Sequence, residues 1–480
     1  MKIFTKQIKI LLLIYLVIGT GFVLLRPLYS DEGYYILAAR NILNGKLLYV
    51  DFVFHQLPLL PYLYAPFSKL GLATYFILKY ISIFSTLGLV ILLYKYVLKA
   101  TSDYNSAYFA VILLIVHGPF VDFNSVAKMV APSNFLCFLS FYLLTLVKFN
   151  SSVKDKMIFL SIGLISGLAS NIRIMFWSCT FVILLYLGYE VFRKIKPVKQ
   201  KLFYFFIILA GILLPTLVTL YYFLNFTDYF IFGVYKHNLY SQSYHWADLG
   251  SNTSRWLKFF FMPQNFLLFV LMLIGLTQKF KYKALAITFF ITLLVSHSGG
   301  YFIDEYLTVV FPYVIYIVAV NYRFLEKKLI YKGRPVMKYV LAVYILSFFI
   351  TVPYFRYAVT GRIMEPNLLQ LNSMIEHERS LKGEKILSSW DIYTLYSNKV
   401  NDTLKNGYVY STMIDKLSPE EIRKFGLPDS SLISNLIKEK HYDVIMQNET
   451  SPHVLLRHKE ITKEYYRLDT VIGNTKYYVK

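Results

Sequence analysis

Long apolar runs alternate along the chain with short basic clusters. The first run follows Lys9 and ends at Leu25. Others cover roughly 76–98, 106–121, 132–149, 157–172, 174–192, 202–225, 257–277, 284–299, 305–321 and 338–354. Runs approaching twenty residues fit membrane-spanning helices, so the pattern predicts about eleven spans. The clusters Lys95/Lys99, Lys154/Lys156, Arg193/Lys194/Lys196/Lys199/Lys201, Lys279/Lys281/Lys283 and Lys327/Lys328/Lys332/Arg334 all fall on the side of the N-terminus. The positive-inside rule makes that side cytoplasmic, in a multi-pass protein of the plasma membrane. No small-residue cleavage site follows Leu25, and Arg26-Pro27 comes instead. The first run is therefore read as an uncleaved helix.

Three segments then lie outside: 27–75, 226–256 and about 356–480. The last has a soluble composition. Ser418-Pro419-Glu420-Glu421 is a capping box before a short helix that stops at Gly426. Lys385–Leu387 and Asp443–Met446 read as strands. The expected architecture is a polytopic α-helical membrane unit over 1–355 with a small extracytoplasmic α/β domain over 356–480.

Composition agrees with this reading. Hydrophobic residues make up 56% of the 480 and charged residues 16%, against about 25% charged in soluble domains. That excludes an ordinary soluble enzyme. The net charge of +22 sits in loop clusters, which argues for membrane topology and against nucleic-acid binding. Cys137 and Cys179 lie in apolar runs without metal-site spacing, so a disulfide framework is not expected.

The first outer loop carries the densest chemistry. It opens Tyr29-Ser30-Asp31-Glu32-Gly33-Tyr34-Tyr35 directly after the first span. Two carboxylates at the bilayer surface are functional candidates, because ionisable groups near that depth are costly. Ile36–Leu43 reads as a short interfacial helix ended by Asn44-Gly45, and the loop continues through Asp51, Phe54, His55, Gln56 and Pro58. In the second outer loop, Lys236, His237 and His245 stand among aromatic residues. Arg173 lies between two apolar runs, where it either grips phosphate oxygens or snorkels to the interface.

The Asp-Glu-x-x-Tyr after the first helix, the small helix, Asn-Gly, Tyr-x-Asp-Phe and a Pro-Leu element together resemble the GT-C glycosyltransferases that use polyprenyl-phosphate sugars. The branch is that of the protein O-mannosyltransferases and aminoarabinose transferases. The resemblance is strong over about residues 1–75, weaker over about 226–315 and otherwise hydropathic. It implies sugar transfer on the outer face from a polyprenyl-phosphate donor to an acceptor that the sequence does not identify. Asp31 matches the catalytic aspartate, and Glu32 joins it in the catalytic pair. Tyr35 and Asp51 would meet substrate or acceptor, and Arg173 and Lys236 the phosphate. His55 and His237 would be ligands of a divalent metal such as Mg, Mn or Zn, with His245 as second choice.

The sequence also departs from the pattern. His55 and Gln56 stand where several relatives have glutamate and lysine. Glu305 stands where relatives often have a basic residue before a tyrosine. The competing readings are a lipid-linked sugar flippase or transporter and a membrane scaffold. Buried midplane charges and repeated halves would mark a transporter, and no matching half is found.

Overall fold

The computed structural model describes residues 5–26, 30–150, 152–239, 249–297, 304–331, 334–355, 368–388, 414–448, 458–472 and 475–480. Five helices are long and apolar enough to cross a membrane: Lys6–Leu25, Ala73–Thr101, Val153–Ile172, Ile174–Lys194 and Val198–Asn225. Two further pairs qualify when a bend is crossed. These are Thr253–Phe261 with Pro263–Leu276, bent by 76°, and Glu305–Val320 with Tyr322–Lys328, bent by 62°. Shorter apolar helices cover Tyr104–Ile115, Val130–Leu144, Lys283–Ser296 and Met337–Phe349. Five, two and four such segments make eleven among the described residues, one on each predicted run.

Proline sets two of the breaks. A residue before proline is driven out of the helical region. Arg26 accordingly leaves the first helix extended, at ψ 135, before Pro27. Met262 has ψ 135 before Pro263, which opens the next helix.

The tightest helix contact joins Val153–Ile172 to Val198–Asn225. Gly163 and Gly167 are four residues apart and share one helix face, and Gly211 comes up against Gly163. A Cβ on Gly163 would lie 2.3 Å from the carbonyl oxygen of Ile208, and one on Gly211 2.7 Å from that of Leu160. Small residues at such spacing let membrane helices approach backbone to backbone. Gly163→Val is therefore expected to cost about 1–3 kcal/mol through overpacking. Thermal unfolding in detergent measures this against Gly188→Val, where a Cβ meets nothing within 4 Å. Equal melting temperatures for the two variants would contradict the close crossing.

The C-terminal region forms a four-stranded sheet. Ile386–Ser388 pairs parallel with Val444–Asn448, at the two predicted strand positions. Thr475–Val479 pairs antiparallel with Val444–Asn448 on one side and with Arg467–Ile472 on the other. Ser418 and Glu421 make the predicted capping box, and Gly426 follows that helix at φ 60. Side chains alternate across a strand. Val444 and Met446 join the core built by the apolar helices, whereas Ile445 packs with Leu387, Ile433 and Ile437 on the opposite face. The sheet thus shares one of its cores with the membrane helices. Helix Leu368–Ser380 adds Leu371, Met374 and Ile375 to that shared core.

Candidate active site

The first-loop helix runs over Ser30–Leu43, six residues earlier than the apolar pattern suggests. Asp31 and Glu32 occupy its first turn, where unsatisfied N–H groups favour carboxylates. Neighbours on a helix point about 100° apart, so the two diverge. Asp31 turns toward Lys128, whose Nζ lies 2.7 Å from Asp31 Oδ2 and 2.8 Å from Glu305 Oε2. Asp31 keeps 25% of its side chain exposed, while Lys128 and Glu305 are buried. One ammonium therefore bridges two carboxylates, and only one of these faces outward.

Glu32 turns inward and is fully buried. Its Oε1 accepts the Ala127 N–H at 2.8 Å and lies 3.4 Å from the buried Lys79 Nζ. This corrects the expectation that Glu32 meets substrate: its carboxylate faces protein. It ties the stretch carrying Lys128 to the first-loop helix. A second buried pair, Arg26 with Asp122 at 2.8 Å, fixes the end of the first span to the segment before that stretch.

Arg173 reaches the same cluster from the end of Val153–Ile172. Its guanidinium lies 4.0 Å over the Tyr306 ring and Nη2 is 3.4 Å from Met175 Sδ. Buried Nη1 has no hydrogen-bond partner among the described residues. A buried guanidinium with an unanswered N–H suits an anionic ligand. Tyr35 is buried and donates its hydroxyl to Met129 Sδ at 2.8 Å, so it lines the cluster and supports the Lys128 stretch.

His55 and His237 do come together, but as stacked rings. Their centroids are 4.7 Å apart with 24° between planes, and Tyr34 stacks on the other face of His55 at 4.5 Å. A metal bound to an imidazole nitrogen lies close to the ring plane, about 2.1 Å away. Nearly parallel rings at this spacing cannot both aim lone pairs at one ion. Among the described residues, no three His, Cys, Asp or Glu side chains form a metal set. The predicted shared metal site does not fit this geometry, and His245 lies outside the described residues. Burial, with the Lys128 ammonium second, lowers the His55 imidazole to about 3. Burial and then His55 hold His237 well below the ordinary range. Both rings are neutral at pH 7 and supply no charge to a phosphate.

Two further expectations change. Asp51 is exposed and accepts the Leu47 N–H at 2.6 Å, closing its own turn. Lys236 pairs with Glu421 of the capping-box helix at 3.2 Å, next to the Lys424–Asp228 pair at 2.7 Å. Phe232 stacks on Phe425 at 3.7 Å between these pairs. Lys236 thus fastens the second loop to the C-terminal region and does not point at the Lys128 cluster.

No protein-family profile matches the sequence, and no curated protein does. Solved structures do match. ArnT from Cupriavidus metallidurans bound to undecaprenyl phosphate aligns with a TM-score of 0.64 at 10% identity, covering 98% of this chain and 97% of that one. Its apo form gives 0.60 over the same shares. The Archaeoglobus fulgidus oligosaccharyltransferase in complex with zinc and sulfate gives 0.55 at 12% identity, over 97% and 72%. The chain has the GT-C fold.

Within this fold, three site residues escape a local reading of the sequence: Lys79, Lys128 and Glu305. A signal is present for two of them. Lys79 sits inside an apolar run, and Asp122 and Lys128 are the only Asp, Glu, Lys or Arg residues between Tyr104 and Val147. Ionisable residues within apolar helical stretches mark functional sites. Glu305 has none, because its partner lies 177 residues away in sequence.

Proposed function

We propose that this chain is an integral-membrane glycosyltransferase that moves a sugar from a polyprenyl-phosphate donor to an acceptor hydroxyl on the outer face of the membrane. The observation that carries the reading is Asp31. It is a part-exposed carboxylate held on a buried lysine, beside a buried arginine with an unanswered N–H, in a fold shared with a protein solved with undecaprenyl phosphate.

The chemistry follows from the groups. The acceptor oxygen attacks the anomeric carbon while the bond from that carbon to the phosphate oxygen breaks. Asp31 takes the hydroxyl proton as general base. The polyprenyl phosphate leaves with the bonding electrons as a dianion and needs positive charge more than a proton. Arg173 and Lys128 are the cations of the cluster that supply it. One base opposite the leaving group gives inversion, by analogy with inverting glycosidases. The basic clusters on the N-terminal side support an outward-facing site.

The test is transfer of labelled sugar in proteoliposomes loaded with polyprenyl-phosphate sugars and a cell-envelope extract, with and without EDTA. Label passing to an acceptor supports the reading. Labelled donor crossing the bilayer without transfer would replace it with a flippase. Retained transfer in EDTA is expected from the His55–His237 geometry.

A further inference from the structure

We propose that Glu305 is a positioning residue that keeps the Lys128 ammonium balanced when Asp31 takes up a proton. This rests on the reading of Asp31 as the base. Lys128 Nζ touches both carboxylates, at 2.7 Å and 2.8 Å. Before the reaction the three groups sum to one negative charge. The acceptor proton neutralises Asp31, and Lys128 remains paired with Glu305. Were Glu305 uncharged, the same step would strand a buried ammonium, and a buried unpaired charge is costly. Glu305 therefore makes Asp31 a stronger base at the moment it acts. Its Oε1 is buried and has no hydrogen-bond partner among the described residues, so the carboxylate is held by Lys128 at Oε2.

The other charged and titratable groups in the cluster are Arg173, Tyr35 and Tyr306, with His55 within reach of Lys128. The tyrosines are neutral and His55 is uncharged at pH 7. Asp31, Glu305, Lys128 and Arg173 thus balance to zero before the donor arrives. Removing the Glu305 charge leaves one positive charge in excess. That excess attracts an anionic lipid phosphate and weakens the base, so binding and turnover move in opposite directions. A merely structural glutamate would weaken both.

The experiment uses the full chain in proteoliposomes, with wild type, Glu305→Gln and Glu305→Asp. Two quantities are read: binding of undecaprenyl phosphate, and sugar transfer against pH. Glu305→Gln is expected to bind the lipid phosphate several-fold more tightly. It should also turn over about tenfold more slowly at pH 7, with the acid limb of its rate profile displaced about one pH unit lower, since one unit of basicity corresponds to about tenfold. Glu305→Asp, which keeps the charge, should retain the wild-type acid limb. Weaker binding in Glu305→Gln with the same fractional loss at every pH, or an acid limb lost equally in Glu305→Asp, overturns the positioning role alone. A wild type that neither binds undecaprenyl phosphate nor transfers sugar overturns the functional reading and this inference with it.

Discussion

Replacing Asp31 by asparagine is expected to lower sugar transfer by about 10²- to 10⁴-fold, the range associated with a positioned general base. The side chain keeps its size and still offers an oxygen to Lys128, so the cluster need not collapse. What disappears is the capacity to accept the acceptor's proton. The geometry singles out Asp31 because it alone combines exposure with a place on the buried cation: 25% of its side chain is reachable, while Glu305, on the same Nζ, is enclosed. Undecaprenyl-phosphate binding should be unchanged or tighter, since the substitution removes a negative charge beside Lys128. The check is a split between binding and turnover in purified, monodisperse protein. Transfer retained within about threefold of wild type would remove Asp31 from the base role, because base catalysis is worth far more than that.

The parts of this molecule that are legible in the sequence are those set by local pattern. Eleven apolar runs become eleven apolar helical segments, because run length and loop charge are local properties. Ser418 and Glu421 close a capping box because the motif acts over four residues. The first-loop helix begins before its apolar stretch, since its opening turn is polar. Its start at Ser30 is understandable once Asp31 and Glu32 are seen as first-turn carboxylates. The roles of neighbouring charges are not legible. Asp31 and Glu32 look equivalent as a dipeptide, yet one faces the candidate site and the other a buried lysine on a different helix. Lys236 reads as a phosphate ligand until Glu421, 185 residues away, is found against it. Convergence of distant side chains decides these roles, and no local window contains it.

Glu32 offers the sharper test of that distinction. Removing it with Glu32→Ala is expected to cost about 3–5 kcal/mol of stability, the usual effect of breaking a buried ion pair from one side. Two consequences combine. Lys79 is left as an uncompensated ammonium with no exposed surface, and the Ala127 N–H loses its acceptor. Lys79→Met should cost a comparable amount, because it leaves the Glu32 carboxylate buried without its cation. The double variant Glu32→Gln/Lys79→Met should recover most of the loss. The glutamine amide oxygen still receives the Ala127 N–H, and neither buried charge remains. A double-mutant cycle by thermal or denaturant unfolding then gives a coupling energy well above the scatter of about 0.3–0.5 kcal/mol between independent sites. Transfer activity discriminates between the two roles of this glutamate. If Glu32 only anchors Ala127, and through it the Lys128 stretch, the double variant regains much of its activity along with its stability. A double variant that is as stable as wild type and as inactive as Asp31→Asn would instead place Glu32 in the chemistry, as the paired carboxylates of the sequence first suggest.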